Sequence, residues 1–335
     1  MDGVVPPSPR SLARAVATAA AAVLLAAPLG ACGLVGSDAT ATTTAAPTTT
    51  TEPPVAVSDP PTILDPGTEP LLALRLHFTE GQEATISFTS DVAVDQGTTA
   101  GTPTQGVDSP PINQTLTYTV GKVTSAGAQV TMRVTAVTVR SKGTGLTAKQ
   151  VQALQQQLDP LVGIEGTGLV TPLGEFQDLA FDVPKGVDKA TTARIQALDR
   201  QIMGLGPSLP AEPIGVGARW AVTATSDAGG AEIKTQTIYT ATALTTAQVG
   251  YTATISTSAA PQDLELDGLP KGTTASLRSS ALEGTSTGTL ALTSPGFTLT
   301  TKVSGPQVIV LTSASGATTV TQEIRLAYSA ATSAH

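Results

Sequence analysis

This chain of 335 residues is short of nearly every side chain that catalysis draws on. It has a single cysteine, Cys32, and two histidines, His77 and the terminal His335. One thiol cannot close an internal disulfide, and one internal histidine cannot support Cys/His nucleophilic chemistry or a histidine-rich zinc site. Neither a nucleophile elbow nor a phosphate-binding glycine loop occurs. Aromatic residues make up 3% of the chain and charged residues 13%, with 18 Lys and Arg against 26 Asp and Glu. The net charge of −8 comes without a basic run, which argues against nucleic acid as a partner and against electrostatic docking on anionic lipid. No cofactor and no catalytic residue is expected, and the chain reads as a non-enzyme.

What the chain does have begins at its N-terminus. Arg10 and Arg14 precede an apolar run over residues 15–27, which Pro28 and Leu29-Gly30-Ala31-Cys32 bring to an end. The run is shorter than the ~20 residues of a spanning helix and is followed by small residues, the layout of a secretory signal. The last four residues resemble the lipobox of bacterial lipoproteins. That resemblance implies cleavage between Ala31 and Cys32, transfer of a diacylglycerol to the Cys32 thiol, and acyl chains such as palmitate. The expected location is the cell envelope, on the outer face of the cytoplasmic membrane. Two acyl chains suffice for stable anchoring without a basic patch. Loss of residues 1–31, which hold Arg10 and Arg14 against Asp2, takes the formal charge from −8 to about −9.

Residues 32–70 read as the lipidated cysteine and a disordered tether. Their composition shifts to Thr, Ala, Pro and Ser, as in Thr42-Thr43-Thr44-Ala45-Ala46-Pro47-Thr48. Such a stretch lacks the apolar residues needed to offset the entropy of ordering. In the extended limit it would reach on the order of 100 Å.

From Leu71 the pattern is that of strands, with an apolar and a polar face. Leu72, Leu74, Leu76 and Phe78 alternate with Ala73, Arg75 and His77. Alternation recurs in Leu116, Tyr118, Val120; in Val130, Met132, Val134, Ala136; and in Tyr251, Ala253, Ile255. It returns in Phe297, Leu299, Thr301, Val303 and in Ile324, Leu326, Tyr328. Short turns such as Ser125-Ala126-Gly127 separate these runs, so consecutive strands are expected to pair antiparallel.

Two helices interrupt them. Val151, Leu154, Leu158 and Leu161 fall at helical spacing after Leu146-Thr147, and a second helix is expected from the N-cap Asp188 through Ile195, Leu198 and Ile202 to a stop at Gly204. Strands at residues 163–170 and 175–182 should turn at Pro172-Leu173-Gly174. The expected fold is a β-dominated α+β domain over residues 71–330, a large curved antiparallel sheet or half-open barrel with two covering helices. It divides into a β half (71–140), a helical and hairpin insert (141–208) and a second β half (209–330), with a short tail at 331–335.

The two β halves resemble each other. Residues 80–91 align without gaps on residues 216–227, and residues 118–126 on residues 239–247. An internal duplication accounts for both alignments.

Leu209-Pro210-Ala211-Glu212-Pro213-Ile214-Gly215-Val216-Gly217-Ala218-Arg219-Trp220 resembles the central "LP…P…VG..W" signature of a family of secreted bacterial lipoproteins, actinobacterial in type, with no assigned function. The segment from Gly166 to Glu175 and Glu283-Gly284-Thr285-Ser286-Thr287-Gly288-Thr289-Leu290 fit the same pattern. The resemblance spans roughly residues 71–328 and implies a fold without catalytic residues. Physically, Gly215 and Gly217 allow a positive-φ turn into a strand, and Trp220 supplies a large apolar anchor for the core or, alternatively, the wall of a pocket.

Asp263, Glu265 and Asp267 alternate with Leu264 and Leu266. Three acids on one strand face would suit a hard cation, but no liganding loop accompanies them, so a solvated edge is the expectation and no metal site is assigned. Two functions remain. In the first, the sheet encloses a hollow that binds or carries a hydrophobic ligand, a lipid or glycolipid, as in envelope lipid-carrier lipoproteins, whose architecture is similar. In the alternative, a filled core serves a non-catalytic interaction or structural module.

Overall fold

The computed structural model describes residues 57–98, 103–141, 146–228, 231–266, 269–314 and 316–334. Ala31, Cys32, residues 33–56, Asp267 and His335 lie outside the described residues. The elements in chain order are β1 (Val57–Ser58), β2 (Thr62–Asp65), β3 (Thr68–Leu72), β4 (Glu83–Thr98), β5 (Pro103–Thr124), β6 (Gly127–Val139), α1 (Ala148–Leu158), β7 (Glu165–Val170) and β8 (Phe176–Phe181). They continue with α2 (Lys189–Met203), β9 (Ile214–Val216), β10 (Arg219–Ala228), β11 (Ala231–Leu244), β12 (Gln248–Ala259), β13 (Gln262–Leu264), β14 (Thr274–Ala291), β15 (Phe297–Ser313) and β16 (Gly316–Ala334).

Among the described residues, fourteen strands form one antiparallel sheet. Its order is β1-β10-β11-β12-β14-β15-β16-β4-β5-β6-β7-β8, with β2 beside β10 and β13 beside β14. Strict alternation builds the long strands: in β15, Leu299, Thr301, Val303, Gly305, Gln307, Ile309 and Leu311 all face inward and are buried. A single large core gathers side chains from both ends of the sheet and from the helices, Trp220 and Phe88 among them. Two smaller apolar clusters continue it along the long strands, one around Val94, Ile255, Leu282 and Ile324, the next around Leu277, Ile309 and Val320.

The duplication is written in the hydrogen-bond register. Ala84 pairs with Tyr118 across β4 and β5, and their counterparts Trp220 and Tyr239 pair across β10 and β11. Gly81 N–H donates to the Val120 carbonyl (2.8 Å), and Gly217 N–H donates to that of Ala241 (2.8 Å). Both glycines are left-handed, φ +85° and +84°, so each copy enters its first strand through the same turn. The next turns match too: Ala126 N–H donates to the Thr124 hydroxyl and Ala247 N–H to the Thr245 hydroxyl, each at 3.3 Å. The correspondence runs further than the sequence alignment. Val130 opposes Gly168 as Tyr251 opposes Gly288, and Val170 opposes Phe176 as Leu290 opposes Phe297. The repeat is therefore a five-stranded meander, β4 to β8 in one copy and β10, β11, β12, β14 and β15 in the other, and β16 joins them by pairing with both β15 and β4.

Both helices follow their sequence signals. Thr147 and Gln150 form a reciprocal capping box on α1, and the Asp188 carboxylate accepts from Thr191 N–H (2.7 Å) at the start of α2, which lowers its pKa. Leu154, Leu158, Ile195, Leu198 and Ile202 bury one stripe of each helix in the main core. Gln155 of α1 also serves the sheet. Its amide donates to Val137 O (2.8 Å) and accepts from Val139 N–H (3.0 Å), pairing β6 where it runs past the end of β7.

Several expectations need correction. Residues 57–70 do not belong to a disordered tether: β1 and β2 pair with β10, and β3 pairs with β9, so the folded body includes residues 57–70. Residues 73–79 keep the alternation, with Leu74 and Leu76 buried, but lie in no strand ladder. Their backbone reaches isolated partners instead, Leu76 N–H to Pro172 O and His77 N–H to Leu292 O. Ala136 faces out because a bulge between Thr115 and Leu116 of the β5 partner shifts the register, and Val137 takes the inward place. Gly215 is not left-handed. It is required by close approach, since a Cβ there would stand 1.8 Å from the Thr68 carbonyl oxygen.

Candidate ligand-binding cavity

The curled sheet is not filled. On its inner face, where β10 to β12 meet β14 to β16, lies a cavity of about 330 Å³. Its walls are mixed, with Leu299 and Ile255 beside the Thr235, Thr237 and Ser286 hydroxyls and the rings of Tyr239, Tyr251 and Tyr328. Ser58 and Pro60, residues Gly174–Gln177 at the β7–β8 turn and the segment 203–208 after α2 complete the lining. A smaller pocket of about 60 Å³, lined by Phe78, Ile86, Tyr118, Phe176, Leu205 and Phe297 among others, adjoins it and shares Gly174, Phe176, Leu205 and Gly206. The larger volume sits at the lower end of the ~300–1,000 Å³ usual for small-molecule sites.

The tyrosines form an aromatic wall. Trp220 stacks on Tyr239 with ring centroids 5.2 Å apart, and Tyr239 meets Tyr251 edge-on at 5.5 Å. Burial raises the phenol pKa values of Tyr239 and Tyr251, and pushes that of Tyr328 up to about 12 against an opposing hydrogen bond from Thr301. The phenols are therefore neutral donors and acceptors at any physiological pH.

Trp220 itself is fully buried and does not line the cavity. Its indole N–H donates to Ser208 O (2.9 Å). The surrounding motif is a clasp: Leu209 N–H donates to Leu173 O (2.8 Å), and the Arg75 guanidinium donates to Pro210 O (3.3 Å) and Ala211 O (2.6 Å). Gly215 N–H then donates to Pro66 O (2.8 Å). These residues hold the segment after α2 against the cavity, and Trp220 takes the core place rather than the pocket wall.

His77 is exposed, as are Asp263 of β13 and Glu265 just beyond it. No cluster of three or more His, Cys, Asp or Glu suited to a metal occurs among the described residues. No helix among them is long and apolar enough to cross a membrane.

Sequence reasoning passed over one constellation. Ser280, Gln307, Gln322 and Gln96 stand directly opposite one another on β14, β15, β16 and β4. All four face inward and are at most 8% exposed; Gln307 and Gln322 are at 0%. The Ser280 hydroxyl and both amide ends of Gln307 and Gln322 have no hydrogen-bond partner within the protein. By contrast, the hydroxyls nearer the cavity pair with each other, Thr301 to Ser286 (2.9 Å) and Thr235 with Thr257 (3.1 Å). Each buried polar group left unpaired costs about 1–3 kcal/mol, so this rung is expensive relative to the whole stability of a domain.

No family model matches the chain, and no curated protein matches its sequence. Solved structures give faint likenesses. The outer membrane protein OprG from Pseudomonas aeruginosa aligns at 9% identity and a TM-score of 0.24, covering 77% of this chain and 98% of its own. The P. putida toluene transporter TodX aligns at 8% identity and a TM-score of 0.17, covering 77% and 91%. At such scores neither likeness bears on architecture or activity, and the chain is described by its own geometry: a duplicated, curled antiparallel sheet with a mixed aromatic and hydroxyl cavity.

Proposed function

We propose that this protein is a non-catalytic lipoprotein of the cell envelope, anchored through Cys32, whose β domain binds an amphiphilic ligand such as a lipid or glycolipid. One observation carries the reading: the cavity of about 330 Å³ between the inner strand faces and the segment after α2, which shares Gly174, Phe176, Leu205 and Gly206 with an apolar pocket. Its wall suits a chain with a small neutral polar group, because the rings of Tyr239, Tyr251 and Tyr328 offer both apolar surface and phenols. The resemblance of residues 209–220 to secreted lipoproteins and of Leu29-Gly30-Ala31-Cys32 to a lipobox supports the address. The alternative, a structural or interaction module, draws on the tightly buried Trp220, Phe88 and Leu116.

Two measurements test this reading. Lipid extracted from the natively purified protein and weighed by mass spectrometry should contain an amphiphile at near one-to-one stoichiometry. Its absence, together with no shift in melting temperature on adding acyl glycerols or fatty acids, rejects ligand binding in favour of the module. Cys32→Ala should abolish acyl incorporation and leave the precursor unprocessed; mature mass and membrane retention in that variant would reject the anchor.

A further inference from the structure

We infer that the rung of Ser280, Gln307, Gln322 and Gln96 is a second, polar subsite of the same cavity, which receives the neutral, hydroxyl-bearing head group of an amphiphile. This deepens the ligand-binding reading above and rests on it. Two fully buried glutamines on directly opposed residues donate nothing to one another and accept nothing from the protein. Evolution of a mere core would place leucine or isoleucine here, as the rows on either side do with Leu282 and Ile324 or Leu277 and Ile309.

The rung is close to the cavity. Thr235, in the cavity wall, pairs with Thr257 on β12, two residues before Ala259, which opposes Ser280. Two residues along a strand are roughly 7 Å. On β15 the inward position between Val303 and Gln307 is Gly305, so no side chain of that strand fills the space between Gln307 and Val303, beyond which Thr301 and then Leu299 of the cavity wall follow. A head group at the rung would leave its chain to run past Val303 and Ile255 to the tyrosine-lined hollow, and from there to the apolar pocket at Phe78 and Phe176.

The chemistry of the rung selects the head group. It carries no charged side chain, so a carboxylate or phosphate would be stripped of water against dipoles alone. Each glutamine amide offers both a donor and an acceptor. A hydroxyl satisfies both, whereas an ester accepts only and would leave the amide oxygens unpaired. The ligand class that fits is a single-chain glycerol ester or glycoside.

The test uses the full chain carrying Cys32→Ala, which keeps it free of its own acyl groups, after removal of bound lipid. Three probes share one acyl chain: 1-monomyristoylglycerol, methyl myristate and myristate. Calorimetric titration should show the glycerol ester binding about tenfold more tightly than the methyl ester and more tightly still than the anion. Adding Gln307→Leu with Gln322→Leu should erase that preference, keep methyl ester affinity, and raise the melting temperature of the empty protein by removing unpaired groups. The single variant Gln307→Met should show the same changes at smaller size and guards against a double variant that fails to fold. If none of the probes binds, the ligand-binding reading itself is wrong. If they bind equally, or the preference survives both variants, the cavity stands and the rung is no subsite. Variants that lower the melting temperature would mean the amides are paired through internal water only, which also overturns the assignment.

Discussion

Trp220 and Tyr239 stand opposite each other on β10 and β11 with stacked rings, in the places that Ala84 and Tyr118 hold in the first copy of the repeat. The second copy thus puts its bulkiest side chain where the first has a methyl group, bonded to the segment that lines the cavity after α2. Trp220→Ala should destabilise the protein by about 3–5 kcal/mol, through lost burial, a cavity and the loss of the indole hydrogen bond to Ser208. Denaturant midpoints measure this, and a change below about 1 kcal/mol would contradict the core placement.

The two glycines of the 209–220 motif should respond differently to alanine. Gly217 is left-handed but has open space around it, so Gly217→Ala should cost about 1–2 kcal/mol of backbone strain. Gly215 has an ordinary φ but no room, because its new methyl would enter the Thr68 carbonyl. Gly215→Ala should therefore be the more damaging of the two and should part β3 from β9. Equal unfolding midpoints for the pair would refute this account.

Alkaline pH should unfold the protein cooperatively. Tyr118, Tyr239, Tyr251 and Tyr328 all have pKa values raised by burial, that of Tyr328 to about 12, above the ordinary phenol value of 10.0. Their contribution is fully present below the unfolded value and is lost as pH rises from about 10 through the folded values, since the unfolded chain releases those protons first. Ultraviolet titration should show little phenolate until that window and then a steep rise coincident with loss of β-sheet circular dichroism. Gradual ionisation of folded protein near pH 10 would show the rings to be solvated.

Limited proteolysis should leave a body that starts close to Val57. N-terminal sequencing of the resistant fragment checks this, and a fragment starting near Leu71 would mean that β1, β2 and β3 are dispensable. A version of the protein beginning at Leu71 should melt lower than one beginning at Val57, because it exposes the β10 edge and removes Ser58 and Pro60 from the cavity lining.

Much of the fold was legible because its signals are local. Thr147, Asp188 and Gly204 mark helix ends through their own side chains or lack of one, and alternation at Tyr251 to Ile255 needs only a period of two. The duplication was legible in two short alignments but not in β7, β8, β14 and β15, where only scattered residues such as Gly168 with Gly288 and Phe176 with Phe297 match and the register carries the correspondence. Val57 to Pro70 was misread because its prolines and threonines lack an apolar run; β1 and β2 are fixed by the β10 edge and β3 by β9, partners far away in sequence. The glutamine rung was invisible for a related reason. Gln96, Gln307 and Gln322 look like ordinary solvent-facing residues of their strands until the register of three ladders places them in one row.

Among the described residues the sheet has two free margins, β8 at one end and β1 with β2 at the other, and no ladder joins them. The cavity lining draws on both margins, Ser58 of β1 and Phe176 and Gln177 of β8, and on the segment after α2, which is held by the Trp220 bond to Ser208 and the Leu209 bond to Leu173. A closed barrel can admit a guest midway along its wall only by unzipping a strand. Here all fourteen strands could keep their partners while the 203–209 segment moved, but its release would break the Trp220–Ser208 and Leu209–Leu173 bonds and withdraw Leu205 and Leu209 from the core. Entry and exit therefore draw on the same packing that stabilises the domain, and a change at Leu205 or Leu209 should alter residence time and melting point together.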